Sequence, residues 1–160
     1  KDDVKLNKLR DYFINVAMAK VATSAYEAYD LGFFKEHKDI VVVNKDRQIA
    51  TAKRHAIQML QDGYTQPTPK KVLVYGQQAL GMFLVGTDSM KDSNYISAHD
   101  MKIANKLAYV MAGGDLSEPT LVSEQYLLDI EREAFMSLLG NQKTLDRIQY
   151  LLMNNKPLRN

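Results

Sequence analysis

Tyr95-Ile96-Ser97-Ala98-His99-Asp100-Met101, continued by Ile103, Leu107 and Val110 and closed by Gly113-Gly114, decides the fold class of this chain. Ser97 is placed to accept a free N–H of the first helical turn, and Asp100, three residues on, can reach back. Ile96 precedes the cap and can staple onto Met101. The apolar residues then recur at three- and four-residue steps, which puts them on one helical face. Gly113 supplies the left-handed residue that stops the helix.

The same grammar repeats outward from this segment. Ser123 opens a helix with Leu127, Leu128 or Ile130, Ala134, Phe135 and Leu138 as its buried face, and Gly140 closes it. A last helix runs from about Gln142 to Met153 over Leu145, Ile148, Leu151 and Leu152. Upstream, Gln77–Met90 reads as an apolar helix. Its Gly81 and Gly86 each cost about 1 kcal/mol against Ala, so close packing is expected at both. At the start, Asp2 or Asp3 caps a helix carrying Leu6, Leu9, Phe13, Val16 and Ala17. Ser24 and Glu27 form a capping box for a short helix ended by Gly32. Asp46 caps another, with Ile49, Ala52, Ala56, Met59 and Leu60 in line and Gly63 at its end. Strands are expected at Ile40–Val43 and Lys71–Tyr75, both short and β-branched. Thr65-Gln66-Pro67-Thr68-Pro69 is a linker, since two prolines remove donors and favour extended backbone. The expectation is a mainly α chain with one or two short strands. It divides into residues 1–63, a linker over 64–76 and a helical extension over 77–160.

Composition narrows the function classes. Of 160 residues, 46% are hydrophobic and 25% charged, a balance that supports a packed core. Lys and Arg number 21 against 19 Asp and Glu, scattered among one another, so no nucleic-acid or membrane surface is expected. Cysteine is absent, which removes disulfides, thiolate nucleophiles and Cys-based zinc sites and fits a cytoplasmic location. No apolar run approaches the ~20 residues of a membrane span. Lys1-Asp2-Asp3-Val4-Lys5 has no signal-peptide character, and the chain is read as a fragment of a longer one.

Candidate chemistry is sparse. His99-Asp100 suggests a metal or acid–base pair, but neighbouring helical residues point apart and Asp100 suits the helix start. Glu131 and Glu133 flank Arg132 and diverge on a helix, as a solvated face does. His37 and His55 lack a ligand-like partner at the fourth residue. Gly76, Gly81 and Gly86 do not have dinucleotide-fingerprint spacing, and Gly113-Gly114-Asp115 is a helix stop rather than a phosphate loop. Lys53, Arg54, Lys70 and Lys71, with Lys156 and Arg159 in the tail, are the basic residues best suited to phosphate contact. No residue is assigned a catalytic, cofactor-binding or metal-ligating role.

A family resemblance covers nearly the whole chain. Ala19-Lys20-Val21-Ala22-Thr23-Ser24-Ala25-Tyr26-Glu27-Ala28-Tyr29-Asp30-Leu31-Gly32-Phe33 resembles the late segment of crotonase-fold enzymes. Gly63-Tyr64, Pro67, Pro69, Tyr95–Asp100, Ile103–Val110, Gly113-Gly114-Asp115, Glu124–Leu128 and Lys156-Pro157-Leu158-Arg159-Asn160 resemble the C-terminal extension of bacterial multifunctional 3-hydroxyacyl-CoA dehydrogenase/enoyl-CoA hydratases. The resemblance implies a parent oxidoreductase of fatty-acid β-oxidation that uses NAD and acyl-CoA. This chain would then be a structural or assembly segment, partnered by upstream domains, self-associating when isolated, and without catalysis of its own. Lys20 departs from the glycine of many crotonases. The alternative reading is a free-standing helical protein-interaction module.

Overall fold

The computed structural model describes the backbone of residues 2–160 and the side chains of residues 4–160. Among these lie seven α-helices: α1 Asp2–Ala17, α2 Ala25–Asp30, α3 Gln48–Gln61, α4 Gln77–Asp92, α5 Ala98–Ala112, α6 Glu124–Leu139 and α7 Gln142–Asn154. Two short strands, β1 Val72–Val74 and β2 Thr120–Val122, and a 3-10 turn at Lys45–Arg47 complete the described elements. The side chains of Asp2 and Asp3, expected to cap α1, lie outside the described residues. The mainly helical class read from the sequence is the class observed.

The chain divides into two compact units, Val21–Pro69 and Lys1–Lys20 with Lys70–Asn160. This differs from the expected break after residue 63, because α1 joins the C-terminal helices. Periodicity reveals that α1 has an apolar face but cannot say what covers it. Phe13 answers that question by stacking on Phe83 with ring centroids 4.4 Å apart.

The core of the larger unit sits among α1, α4 and α5. Leu6 and Phe13 from α1, Tyr75, Ala79 and Phe83 around α4, and Ala104, Ala108 and Ala112 from α5 form one buried cluster. Three alanines at four-residue spacing give α5 a shallow face, so neighbouring helices approach closely while the phenylalanines fill the space. Burying each aromatic is worth about 1.5–3 kcal/mol, and the stacked pair adds roughly 0.5–1.5 kcal/mol. No residue of α6 or α7 belongs to this cluster. α6 does pack on both α5 and α7. Its buried line is Ile130, Ala134 and Leu138, whereas Phe135 is 51% exposed and Leu128 also faces out. Ile130, Ala134 and Leu138 were all expected on the buried face; Phe135 is the expected residue that lies outside it.

β1 and β2 pair antiparallel, with Val72 opposite Val122, Leu73 opposite Leu121 and Val74 opposite Thr120. The second strand is thus Thr120–Val122, not Ile40–Val43, which carries no regular structure and exposes Ile40 and Val43. A strand needs a ladder partner for its backbone groups, and β-branched content alone does not supply one. Two glycines let this strand pair dock. Gly76 has φ 55°, and a Cβ there would collide with the Leu116 carbonyl. Gly113 has φ 88°, and a Cβ there would collide with Val74. Gly81 and Gly86, expected to mark close packing, face open space instead.

Capping agrees with the sequence at Ser97, whose box with Asp100 is complete, and at Ser123, whose hydroxyl accepts the Tyr126 N–H. It differs at two positions. Asn44, not Asp46, accepts the N–H of Asp46 and opens the 3-10 turn ahead of α3. Glu27 accepts the N–H and hydroxyl of Thr23, one residue before the expected cap, while Ser24 accepts the Glu27 N–H.

The smaller unit builds little core of its own. Its Tyr29 meets Phe34 edge-on at 5.7 Å, and the Tyr29 hydroxyl donates to the Asp39 carbonyl. Ala28 is its buried hydrophobic residue among those described. The expected α3 stripe is exposed, with Ile49 at 84%. Residues 65–69 carry no regular secondary structure.

Candidate functional site

The best-built polar site is the one that forms around His99 and Asp100. The capping box sets their directions by placing both in the first turn of α5. His99 is buried, and its Nε2 lies 3.2 Å from the Thr144 hydroxyl. Asp100 Oδ1 accepts from Arg147 Nη1 at 2.7 Å and from Arg159 Nη1 at 3.2 Å, and its Oδ2 accepts the Ser97 N–H. Both residues therefore reach the first turns of α7, where Thr144 and Arg147 sit three apart on one face. Arg147 spends its remaining nitrogens on Asn160, donating from Nε to Oδ1 and from Nη2 to the main-chain oxygen.

Burial opposes ionisation of Asp100, but the hydrogen bonds from Arg147 and Ser97 outweigh it and hold the carboxyl down at about 2. His99 is shifted the other way from a paired histidine. Burial first, then the charges of Arg147 and Lys143, lower its pKa and favour neutral imidazole. The ensemble is a closed structural network. Every nitrogen of Arg147 and both oxygens of Asp100 are engaged within the chain.

A cleft of about 590 Å³ lies between α4, α5 and α6, floored by Leu80, Leu84 and Met101 and rimmed by Lys102, Lys106 and Glu133. Tyr109 lines it too, its pKa raised by burial and by the negative charge of Glu133. Asn105 enters from α5 and bonds the buried Thr87 hydroxyl at 2.7 Å. That hydroxyl also lies 2.9 Å from the Leu84 carbonyl. The Thr87 hydroxyl donates its one hydrogen to either of two acceptors, Asn105 Oδ1 or the Leu84 carbonyl, and so ties α4 to α5 beside the cleft. A second cleft, of about 460 Å³, runs between α5 and α6 over Ile103, Leu107, Val110, Leu128 and Phe135. Its floor is apolar, and Lys106, Glu131 and Arg132 line it as well.

The other sequence candidates stay apart. Glu131 and Glu133 are both exposed, and Arg132 bonds Asp129 instead. His37 and His55 are exposed. Lys53 and Arg54 are exposed on α3, and Lys70 and Lys71 are exposed beside β1. Arg159 is drawn into the Asp100 network rather than left for phosphate. Among the described residues, no three His, Asp or Glu side chains come together as a metal site. No helix among them is long and apolar enough to cross a membrane.

The one strand–turn–helix with glycine, β1–Gly76–α4, does not fit a dinucleotide. Its Gln77 N–H donates to the Leu116 carbonyl at 2.7 Å, so this chain's own backbone occupies the place a pyrophosphate needs. The Gly114 N–H likewise donates to the Tyr109 carbonyl as part of the helix stop. Sequence reasoning singled out His99 and Asp100 but missed Thr144, Arg147 and Asn160 as their partners. Arg147 and Asn160 carry donors and acceptors near the chain's end, yet nothing local shows that they fold back 47 and 63 residues to α5 and its cap.

No family model matches the chain, and no solved structure matches it. It is 46% identical over 155 residues to a Bacillus subtilis (strain 168) protein named "Probable 3-hydroxyacyl-CoA dehydrogenase". The alignment takes in 97% of this chain and 20% of that protein. The chain spans about a fifth of the length of the curated relative it matches, and it is similar to that part of a 3-hydroxyacyl-CoA dehydrogenase.

Proposed function

We propose that this chain is a non-catalytic assembly segment of a longer 3-hydroxyacyl-CoA dehydrogenase/enoyl-CoA hydratase of fatty-acid β-oxidation. In this reading it comprises the end of a crotonase-like domain and a helical extension. NAD and acyl-CoA are ligands of the parent, bound by domains upstream, and the parent works in the cytoplasm. The observation that carries the reading is the bare apolar surface of α6 and α7. Leu128, Phe135, Met136, Leu151, Leu152 and Met153 are all exposed, Leu152 at 81%. Helices that expose so much apolar surface mark an interaction face. The similarity to one fifth of a dehydrogenase supplies the partner: the rest of such a polypeptide.

The test uses the Bacillus relative with its matching fifth removed, mixed with this chain. The reading expects a stable complex in sedimentation at micromolar concentration, and no NADH formation by this chain alone with NAD and a 3-hydroxyacyl-CoA. Absence of a complex, or activity from the chain alone, overturns it. A second reading, a free-standing helical interaction module, draws on the self-contained cluster around Phe13 and Phe83. It expects no complex with the truncated relative.

A further inference from the structure

The last two residues occupy a receptor made by three separate elements. Asn160 presents its side-chain and main-chain oxygens to the Nε and Nη2 edge of Arg147, at 2.8 and 3.2 Å. Its main-chain oxygen also accepts from the Ser97 hydroxyl at 3.1 Å, while that hydroxyl accepts the Asp100 N–H. Its amide donates to the Lys143 carbonyl at 3.3 Å. Arg159 bridges Asp100 on α5 and the Met18 carbonyl just past α1, the latter at 3.2 Å. The receptor thus satisfies a capped helix start, a helix stop and the first turns of α7 with one dipeptide.

We infer that Ser97, Asp100 and Arg147 form a recognition site for an Arg–Asn peptide segment, and that residues 155–160 are a strap of nearly minimal length that fills it. The geometry of the tail carries the second half. α7 ends at Asn154, and Asn155 turns the chain with φ 51°. From there the tail must return alongside α7 to Lys143. Twelve helical residues between Lys143 and Asn155 rise about 18 Å. The five links from Asn155 to Asn160 reach about 17 Å when extended, and the Asn160 side chain spans the rest before its amide meets the Lys143 carbonyl. Pro157 suits such a stretch because it holds φ near that of extended chain. The strap closes across a helix that buries little of itself: Thr144 is the buried residue of α7. It therefore fixes α7, and the apolar face α7 displays, to α5 and α1. The inference stands apart from the proposed parent enzyme and is tested without it.

The experiment compares three variants of the full chain by thermal melting and by amide hydrogen exchange. Arg159→Ala/Asn160→Ala empties the receptor. Deleting Lys156 shortens the strap by one residue, and inserting a glycine after Lys156 lengthens it. The double substitution and the deletion are each expected to lower Tm by about 5 °C or more and to speed exchange in α7. The insertion is expected to leave both readouts near those of the parent chain. That asymmetry distinguishes a taut strap from general surface packing. Wild-type melting and exchange in the double variant overturn the recognition site. A deletion as harmless as the insertion overturns the strap. Arg159→Ala alone, at an exposed side chain, serves as the readable substitution should the double variant fail to fold, with faster α7 exchange expected and unchanged exchange against the inference.

Discussion

Asp100 and Arg147 lie 47 positions apart in sequence and 2.7 Å apart in space, with both side chains mostly shielded from water. The pair joins the first turn of α5 to α7. Removing one partner of such a pair strands the other, so Asp100→Ala is expected to cost about 3 kcal/mol. Arg147→Lys is expected to lose much of the same stability despite keeping its charge. An ammonium cannot present the three nitrogens that hold Asp100 and Asn160 together. Urea unfolding of both variants checks this; a lysine variant as stable as the parent chain contradicts the fork geometry.

The same pair gives an acid-stability profile with a definite sign. Asp100 is held at about 2 in the folded chain against an ordinary value of 3.8. The unfolded state takes up the proton first, so the contribution is present above pH 4. It is lost as pH falls from about 4 toward 2, and amounts to roughly 2 kcal/mol. Asp100→Asn removes this part of the acid slope. An unchanged slope in that variant, measured by melts from pH 5 to pH 2, rules the assignment out.

His99 acts in a higher window. Its folded pKa lies below the ordinary histidine value of 6.5, so the unfolded state again binds the proton first. Stability from neutral imidazole is present above pH 6.5 and declines as pH falls below it, levelling out under the folded value. The sequence alone suggested a minor first-turn residue. Burial against Thr144 changes that, and His99→Ala is expected to cost about 1–3 kcal/mol through the stranded hydroxyl. A variant that melts like the parent chain at pH 7.5 counts against the buried contact.

Phe13 and Phe83 are 2% and 1% exposed, whereas Phe135 is half exposed. Phe13→Ala or Phe83→Ala is expected to cost about 3–5 kcal/mol. Phe135→Ala should stay within about 0.5 kcal/mol, as surface substitutions do. Denaturant titration of the three variants orders them, and a Phe135 variant as damaged as the other two contradicts its place outside the core.

The exposed α6 and α7 residues lead to a concentration-dependent expectation. The isolated chain should associate at micromolar concentration through Leu128, Phe135, Leu151 and Leu152, and not through α1, whose Phe13 is covered. Phe135→Ser with Leu152→Lys should shift sedimentation toward the monomer without lowering Tm. If the parent chain sediments as a monomer throughout, the face does not act between copies.

Local physics accounts for what the sequence determined by itself. Ser97, Ser123, Gly63 and Gly113 announce helix ends because capping and left-handed stops need only neighbours within five residues. Helical periodicity likewise identified α1, α4, α5, α6 and α7, and β-branched content the short strand before Gly76. Tertiary structure decided what those elements meet. Ile40–Val43 has β-branched residues but no partner strand, while Thr120–Val122 finds β1 across 48 residues, as the central Leu73–Leu121 pair shows. An amphipathic stripe does not say whether it will be covered, so α1 was buried and the stripes of α3 and α7 were not. Asp100 looked like a cap because its capping bonds are local. Its role as the anchor for Arg147, Arg159 and the tail depended on contacts 47 and 59 residues away, which only the folded chain brings within hydrogen-bond reach.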